Sequence, residues 1–211
     1  MNIHIFSKKE EIAHVITHGI GTILSLFALI ALTTYSILYG NGWQITSVIL
    51  FGFTMLFMYI SSTIVHSLPQ GKWKDIFQII DHASIYLFIA GTYTPFLLVH
   101  LREQIGWTLL FIIWGIALIG VVFKVFFVKR FLILSTLIYI LMGWLIVIVW
   151  EPLQAAVHEN GINLLIIGGM FYTVGTIFYM IRSIPYHHVI WHLFVLAGST
   201  FHFLAIFYYV I

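Results

Sequence analysis

The feature that most constrains this chain is a recurring one: apolar runs of about 20 residues, each long enough to cross a bilayer, separated by short polar breaks. Seven such runs can be read, at about residues 14–38, 43–66, 77–99, 107–127, 132–150, 162–181 and 186–210. The breaks between them carry turn chemistry: Gly40-Asn41-Gly42, Pro69-Gln70-Gly71, Lys129-Arg130, Pro152, Asn160-Gly161 and Pro185. The expected fold is therefore an all-α integral membrane protein, a seven-transmembrane helix bundle forming one domain over residues 1–211. Only 8% of the residues are charged and 62% are hydrophobic, which excludes a soluble fold. The first run is too long for a signal-peptide core, is interrupted by His14 and His18, and is expected to be retained.

Charge sets the expected orientation. Lys8, Lys9, Lys72, Lys74, Lys124, Lys129, Arg130 and Arg182 fall on one side if the runs alternate, and Arg102 alone on the other. The positive-inside rule then puts the N-terminus in the cytoplasm and the C-terminus outside, in a multi-pass protein of the cell membrane. A net charge of +2 with scattered basic residues offers no nucleic-acid surface. The partner implied is the lipid bilayer, and with it a lipid substrate.

Against this apolar background the polar residues stand out. With no cysteine, a transition metal would have to use histidine and carboxylate, a donor set typical of open catalytic sites rather than closed structural ones. His188 and His192 are four residues apart, so on a helix they lie one turn apart on one face, close enough to share an ion. Val189, Ile190 and Trp191 lie between them, so any base or third ligand must come from another helix. His66 closes the second run and Asp81 and His82 open the third, at the same membrane face and similar depth as His188 and His192. A carboxylate inside a span costs roughly 2.5–3.5 kcal/mol, so Asp81 needs a cation, donors or water.

The expected centre is Zn2+ held by His66, His188 and His192, with the fourth position left for a water whose pKa the metal lowers towards about 7. Asp81 would orient that water or take its proton. Ser62, four residues before His66 on the same face, would donate to Asp81 or to an oxyanion. His82 points about 100° away from Asp81 and is a supporting residue. Structural readings stand beside these. Asp81 can be stabilised instead by the start of its helix and by Lys72 or Lys74. His14 and His18 repeat the ligand spacing after Glu10 and Glu11, but a hydrogen-bonded cap over the cytoplasmic mouth is the expected role of this group, with Glu11 pairing to His14 or to a neighbouring helix end. His187 fits the face less well. His202 lies about 15 Å beyond His192 and is expected to make a hydrogen bond inside the bundle. His4, His100 and His158 are expected in water. Pro95 should kink the third helix and free a carbonyl near Gly91.

Together Ser62 and His66, Asp81 and His82, the stretch Gly91-Thr-Tyr-Thr-Pro95, His188 and His192 with His202 beyond, and the opening Glu11, His14, His18 and Gly19 resemble the progestin and adipoQ receptor family, in its bacterial hemolysin III branch. The resemblance spans essentially the whole chain. It implies a seven-helix bundle with a cytoplasmic N-terminus, and a zinc at the positions of His66, His188 and His192 with Asp81 beside its water. It also implies a distant kinship with alkaline ceramidases and related membrane hydrolases. Without a long N-terminal domain or C-terminal tail, hormone-receptor activity is not expected to transfer.

Three functions follow as expectations. The first is a zinc-dependent, ceramidase-like hydrolase of a lipid amide or ester. The second is a non-enzymatic homeostasis or sensor protein in which zinc ties helices together. The third is the cytolysis, haemolytic and pore-forming, that the branch name carries, although a chain with seven spanning helices has no water-soluble form from which to insert. A zinc transporter fits less well, because transport sites lie near the midplane and this cluster lies near one face.

Overall fold

The computed structural model describes residues 6–128 and 130–211; His4 and Lys129, both read above, lie outside the described residues. The described residues fold into helices α1 (Lys8–Tyr39), α2 (Gly42–Ser67), α3 (Lys72–Val99), α4 (Trp107–Phe127), α5 (Leu132–Trp144), α6 (Trp150–Ala156), α7 (Glu159–Met180) and α8 (His187–Tyr209), with no strand among them. Helices α5 and α6, joined through the tight turn Leu145–Val149, make one span, so seven spans cross the membrane.

Local chemistry explains where the helices depart from the expected boundaries. The first begins six residues early, because Ser7 and Glu10 form a capping box: the Ser7 hydroxyl accepts from the Glu10 amide at 3.3 Å, and the Glu10 carboxylate accepts from the Ser7 amide at 2.9 Å. α2 starts at an equivalent box, built by Asn41 and Gln44. Pro152 and the Asn160-Gly161 pair flank the break between the fifth and sixth spans, which falls at Val157 and His158 in the connection expected, without themselves forming it. Pro152 lies in the first turn of α6 and Asn160 in that of α7, where the amide has no intrahelical acceptor to lose. Within the fifth span the α-helix is also interrupted earlier, at Leu145–Val149. There the Tyr93 hydroxyl accepts from the Ile146 amide at 3.0 Å and donates to the carbonyls of Met142 and Gly143. Helix α3 runs unbroken through Pro95, and the Thr94 hydroxyl donates to the Ala90 carbonyl at 2.9 Å.

α3 is the axis of the bundle. Over its most apolar stretch 72% of it is buried, against 28% of α1, which turns most of its surface to lipid. It packs against α2, α4, α5 and α8, while α1 lies on α2 and α8, and α7 on α8. Lipid has no affinity advantage for one apolar surface over another, so close approach decides these contacts. Gly21 shows this: a Cβ there would meet the Tyr59 ring at 2.4 Å, so only glycine lets α1 lie this close to α2.

Polar contacts lock both ends. At one end the Gln44 amide donates to the Val210 carbonyl at 2.8 Å, Arg102 lies 4.6 Å over the Trp43 ring, and His100 donates to the Tyr209 carbonyl at 2.9 Å. His100 is thus not in water as expected: burial holds its pKa below the usual histidine value, against the opposing pull of the Tyr209 carbonyl. His158 is exposed, as expected, and caps α7 by accepting from the Asn160 amide. The opposite end gathers the start of α1, the end of α2 and the starts of α3 and α8, and there the histidines meet.

Candidate metal centre

His66 sits in the last turn of α2, and His188 and His192 in the first two turns of α8. One ligand nitrogen from each lies within 4.8 Å of the others, so the three residues expected to hold a metal are brought together. Their rings are 4.7–5.3 Å apart between centroids.

Two of the three are oriented from behind. His66 Nδ1–H donates to a Glu11 carboxylate oxygen at 2.7 Å, and Lys74 holds the other Glu11 oxygen at 2.8 Å. Thr17 Oγ1 donates to the carbonyls of Ala13 and His14, so at 3.1 Å from His192 Nδ1 it is left to accept from that ring. A neutral imidazole that donates through Nδ1 keeps the Nε2 lone pair for a ligand. This is the support that metal-binding histidines require, and the donor set of three neutral imidazoles fits zinc. Glu11 therefore reaches a neighbouring helix end, one of its two expected partners, and its oxygen is 3.6 Å from His14 Nδ1. The engagement of Lys74 with Glu11 and with the Leu68 carbonyl also weighs against its serving as the counterion of Asp81.

Near the Asp81 carboxylate stand Ser62 and His82, whose Nδ1 lies 3.7 Å away. The same His82 nitrogen donates to the Gln78 carbonyl, and its Nε2 meets the Tyr179 hydroxyl at 3.2 Å. His202 Nε2 lies 3.3 Å from the Leu165 carbonyl, inside the bundle. His187 Nδ1 bonds the Phe178 carbonyl.

The pair His14 and His18 does not form a ligand set of its own among the described residues. The His18 ring stacks on His192 at 3.4 Å and 12° and meets Tyr59 edge-on. The His14 ring lies 4.3 Å from His66, 4.9 Å from His188 and 5.1 Å from His192. The Phe6 ring covers His14 and His188 at the end of the bundle.

A cavity of about 160 Å³ opens from this cluster into the bundle. His18, Ser62, Asp81, His82, His188 and His192 line its polar end, and Phe88, Phe96, Trp144, Trp150 and Val195 belong to its apolar wall. On α3 the wall runs from Asp81 to Phe96, about 22 Å at the helical rise. A volume of this size in an apolar wall admits a small organic ring or a length of alkyl chain. Sequence reading missed two contributors, Thr17 and Lys74 as the partners of His192 and Glu11. They lie 175 and 63 residues from those partners, and no local pattern marks such pairings.

The profile of the family described as Haemolysin-III related matches residues 6–203. The chain is 53% identical over 205 residues to the Hemolysin-3 homolog of Bacillus subtilis (strain 168), covering 97% of this chain and 96% of that one. It is 49% identical to Hemolysin-3 of Bacillus cereus, over 96% and 93% of the two chains. It is 26% identical to the human Monocyte to macrophage differentiation factor, over 95% of this chain and 84% of that protein. No solved structure matches the chain. The chain belongs to the haemolysin III family and is a multi-pass membrane protein, consistent with the plasma membrane.

Proposed function

We propose that this haemolysin III family protein holds zinc through His66, His188 and His192 near the cytoplasmic face and hydrolyses a lipid amide or ester whose chain occupies the bundle cavity. One observation carries this reading: three imidazoles from two helices converge, and two of them, His188 and His192, line an otherwise apolar cavity together with the half-buried Asp81.

Zinc bound there would supply a Lewis acid for the scissile carbonyl and ease deprotonation of the attacking water. The protein's own groups do the rest. The Asp81 carboxylate takes a proton from the water as its oxygen adds to the carbonyl carbon. It returns that proton to the nitrogen or oxygen of the leaving group as the acyl bond breaks. Ser62 keeps the carboxylate turned to the site, and Glu11 and Thr17 hold the rings of His66 and His192. The apolar wall between Phe88 and Phe96 takes the hydrocarbon chain and keeps bulk water from it.

The test is turnover of lipid amides and esters by purified wild type and by Asp81→Asn. The variant is expected to keep its zinc and lose hydrolysis by about 10²–10⁴-fold. Equal turnover in the two proteins would remove Asp81 from the chemistry.

A second reading also has an observation behind it. Glu11, Lys74, His66, Thr17 and His192 tie α1, α2, α3 and α8 into one knot, as a structural zinc would require. On that reading Asp81→Asn leaves function intact while His66→Ala loosens the bundle. The name Hemolysin-3, carried by the Bacillus cereus relative, adds cytolysis as a third reading. It predicts dye leakage from liposomes by purified protein, undiminished in His188→Ala.

A further inference from the structure

Beside the three ligands proposed for zinc lies a second set of donors. Glu11, His14 and His66 also bring one ligand atom each within 4.8 Å of one another. One carboxylate oxygen and two imidazole nitrogens suit a borderline divalent cation such as zinc. The two sets have His66 in common and differ in their surroundings.

His14 is the unusual member. It is 0% exposed, and neither ring nitrogen has a hydrogen-bond partner, with Nδ1 3.6 Å from the Glu11 oxygen. A buried ring with two unsatisfied nitrogens is costly unless it has a ligand to hold. Its position is intermediate as well: its ring contacts those of His66, His188 and His192, all within 5.1 Å. Glu11 stands at the end of the bundle with its side chain 16% exposed, whereas His192 is 1% exposed. A cation arriving from water therefore meets Glu11 before it can reach His192.

We infer that Glu11, His14 and His66 form a second, weaker cation position through which zinc is loaded onto His188 and His192, with His66 serving both. The inference shares His66 with the proposed zinc centre but rests on Glu11 and His14, which that centre does not use as ligands. Lys74 explains the weakness. Its ammonium occupies the Glu11 oxygen at 2.8 Å and must swing aside when a cation binds. Its return, together with re-formation of the bond from His66 Nδ1–H to Glu11, then favours passage of the ion inward. Glu10 is engaged with the Ser7 cap and the Tyr186 amide.

The test uses the full chain in detergent and zinc chloride as the probe. In His188→Ala/His192→Ala, which lacks the inner ligands, calorimetry is expected to find about one equivalent of zinc bound weakly. Adding His14→Ala or Glu11→Gln should weaken that binding at least about tenfold, and adding Lys74→Ala should tighten it. Absence of zinc binding in the folded double variant, or binding indifferent to His14 and Glu11, overturns the second position. In the otherwise wild-type chain, His14→Ala should take up zinc from a chromogenic chelator about tenfold more slowly while reaching the same final content. An unchanged uptake rate overturns the loading role. If wild-type zinc instead depends on His14 and not on His192, the inner centre fails and the outer position stands.

Discussion

His66 faces two ways, and this is what makes single residues informative here. Its Nδ1 is committed to Glu11, so a carboxylate one helix away decides which nitrogen is free. Glu11→Gln keeps the size of that group and removes its charge, and it is expected to lower zinc affinity by about 10–100-fold, measured by competition with a chelator. Gly168 makes a different point. A Cβ there would lie 2.3 Å from His202 Cδ2, so Gly168→Ala must push the histidine out of the bundle or open α7 from α8. A loss of about 1–3 kcal/mol in stability is expected, read from the unfolding midpoint in detergent, with little change in zinc content.

At the scale of elements, the chain announces most of what it builds. Seven apolar runs became seven spans, and the four-residue spacing of His188 and His192 became two imidazoles on one face of α8, placed so that with His66 they could hold a metal. Hydropathy marks where lipid surrounds a helix but not where a helix starts in water, so caps carried the discrepancies. Ser7 and Glu10 extend α1 to Lys8, and only through that extra turn and a half does Glu11 reach His66. Ser7→Ala is expected to weaken this start by about 0.5–2 kcal/mol, seen as faster amide exchange over residues 8–12 with zinc retained. Convergence of His66, Asp81 and α8 at one end was legible from alternation alone, since each belongs to a helix end of the same side. The partners that orient the rings were not. Thr17 is one of several hydroxyls along α1, and nothing in its neighbourhood in sequence points to His192 on the far side of the chain. Pro152 was read as a break, yet it lies inside a helix turn, and the fifth span tightens where Tyr93 of α3 captures the Ile146 amide, a contact no local rule supplies.

Taken whole, the molecule is a lipid-facing shell around a buried α3, with a histidine-rich end and an apolar cavity leading away from it. Polar ties at both ends leave an apolar cavity between them, and the proposed hydrolysis belongs where that cavity meets the histidines. The proposed hydrolysis depends on a metal being held there. The measurement that tests it most directly is the zinc content of purified wild type, His192→Ala and Asp81→Asn after dialysis against a chelator mild enough to strip only weakly held ions. About one zinc per chain is predicted in wild type and in Asp81→Asn, and none in His192→Ala. A folded wild type without zinc, or a His192→Ala protein that keeps it, would contradict the centre formed by His66, His188 and His192.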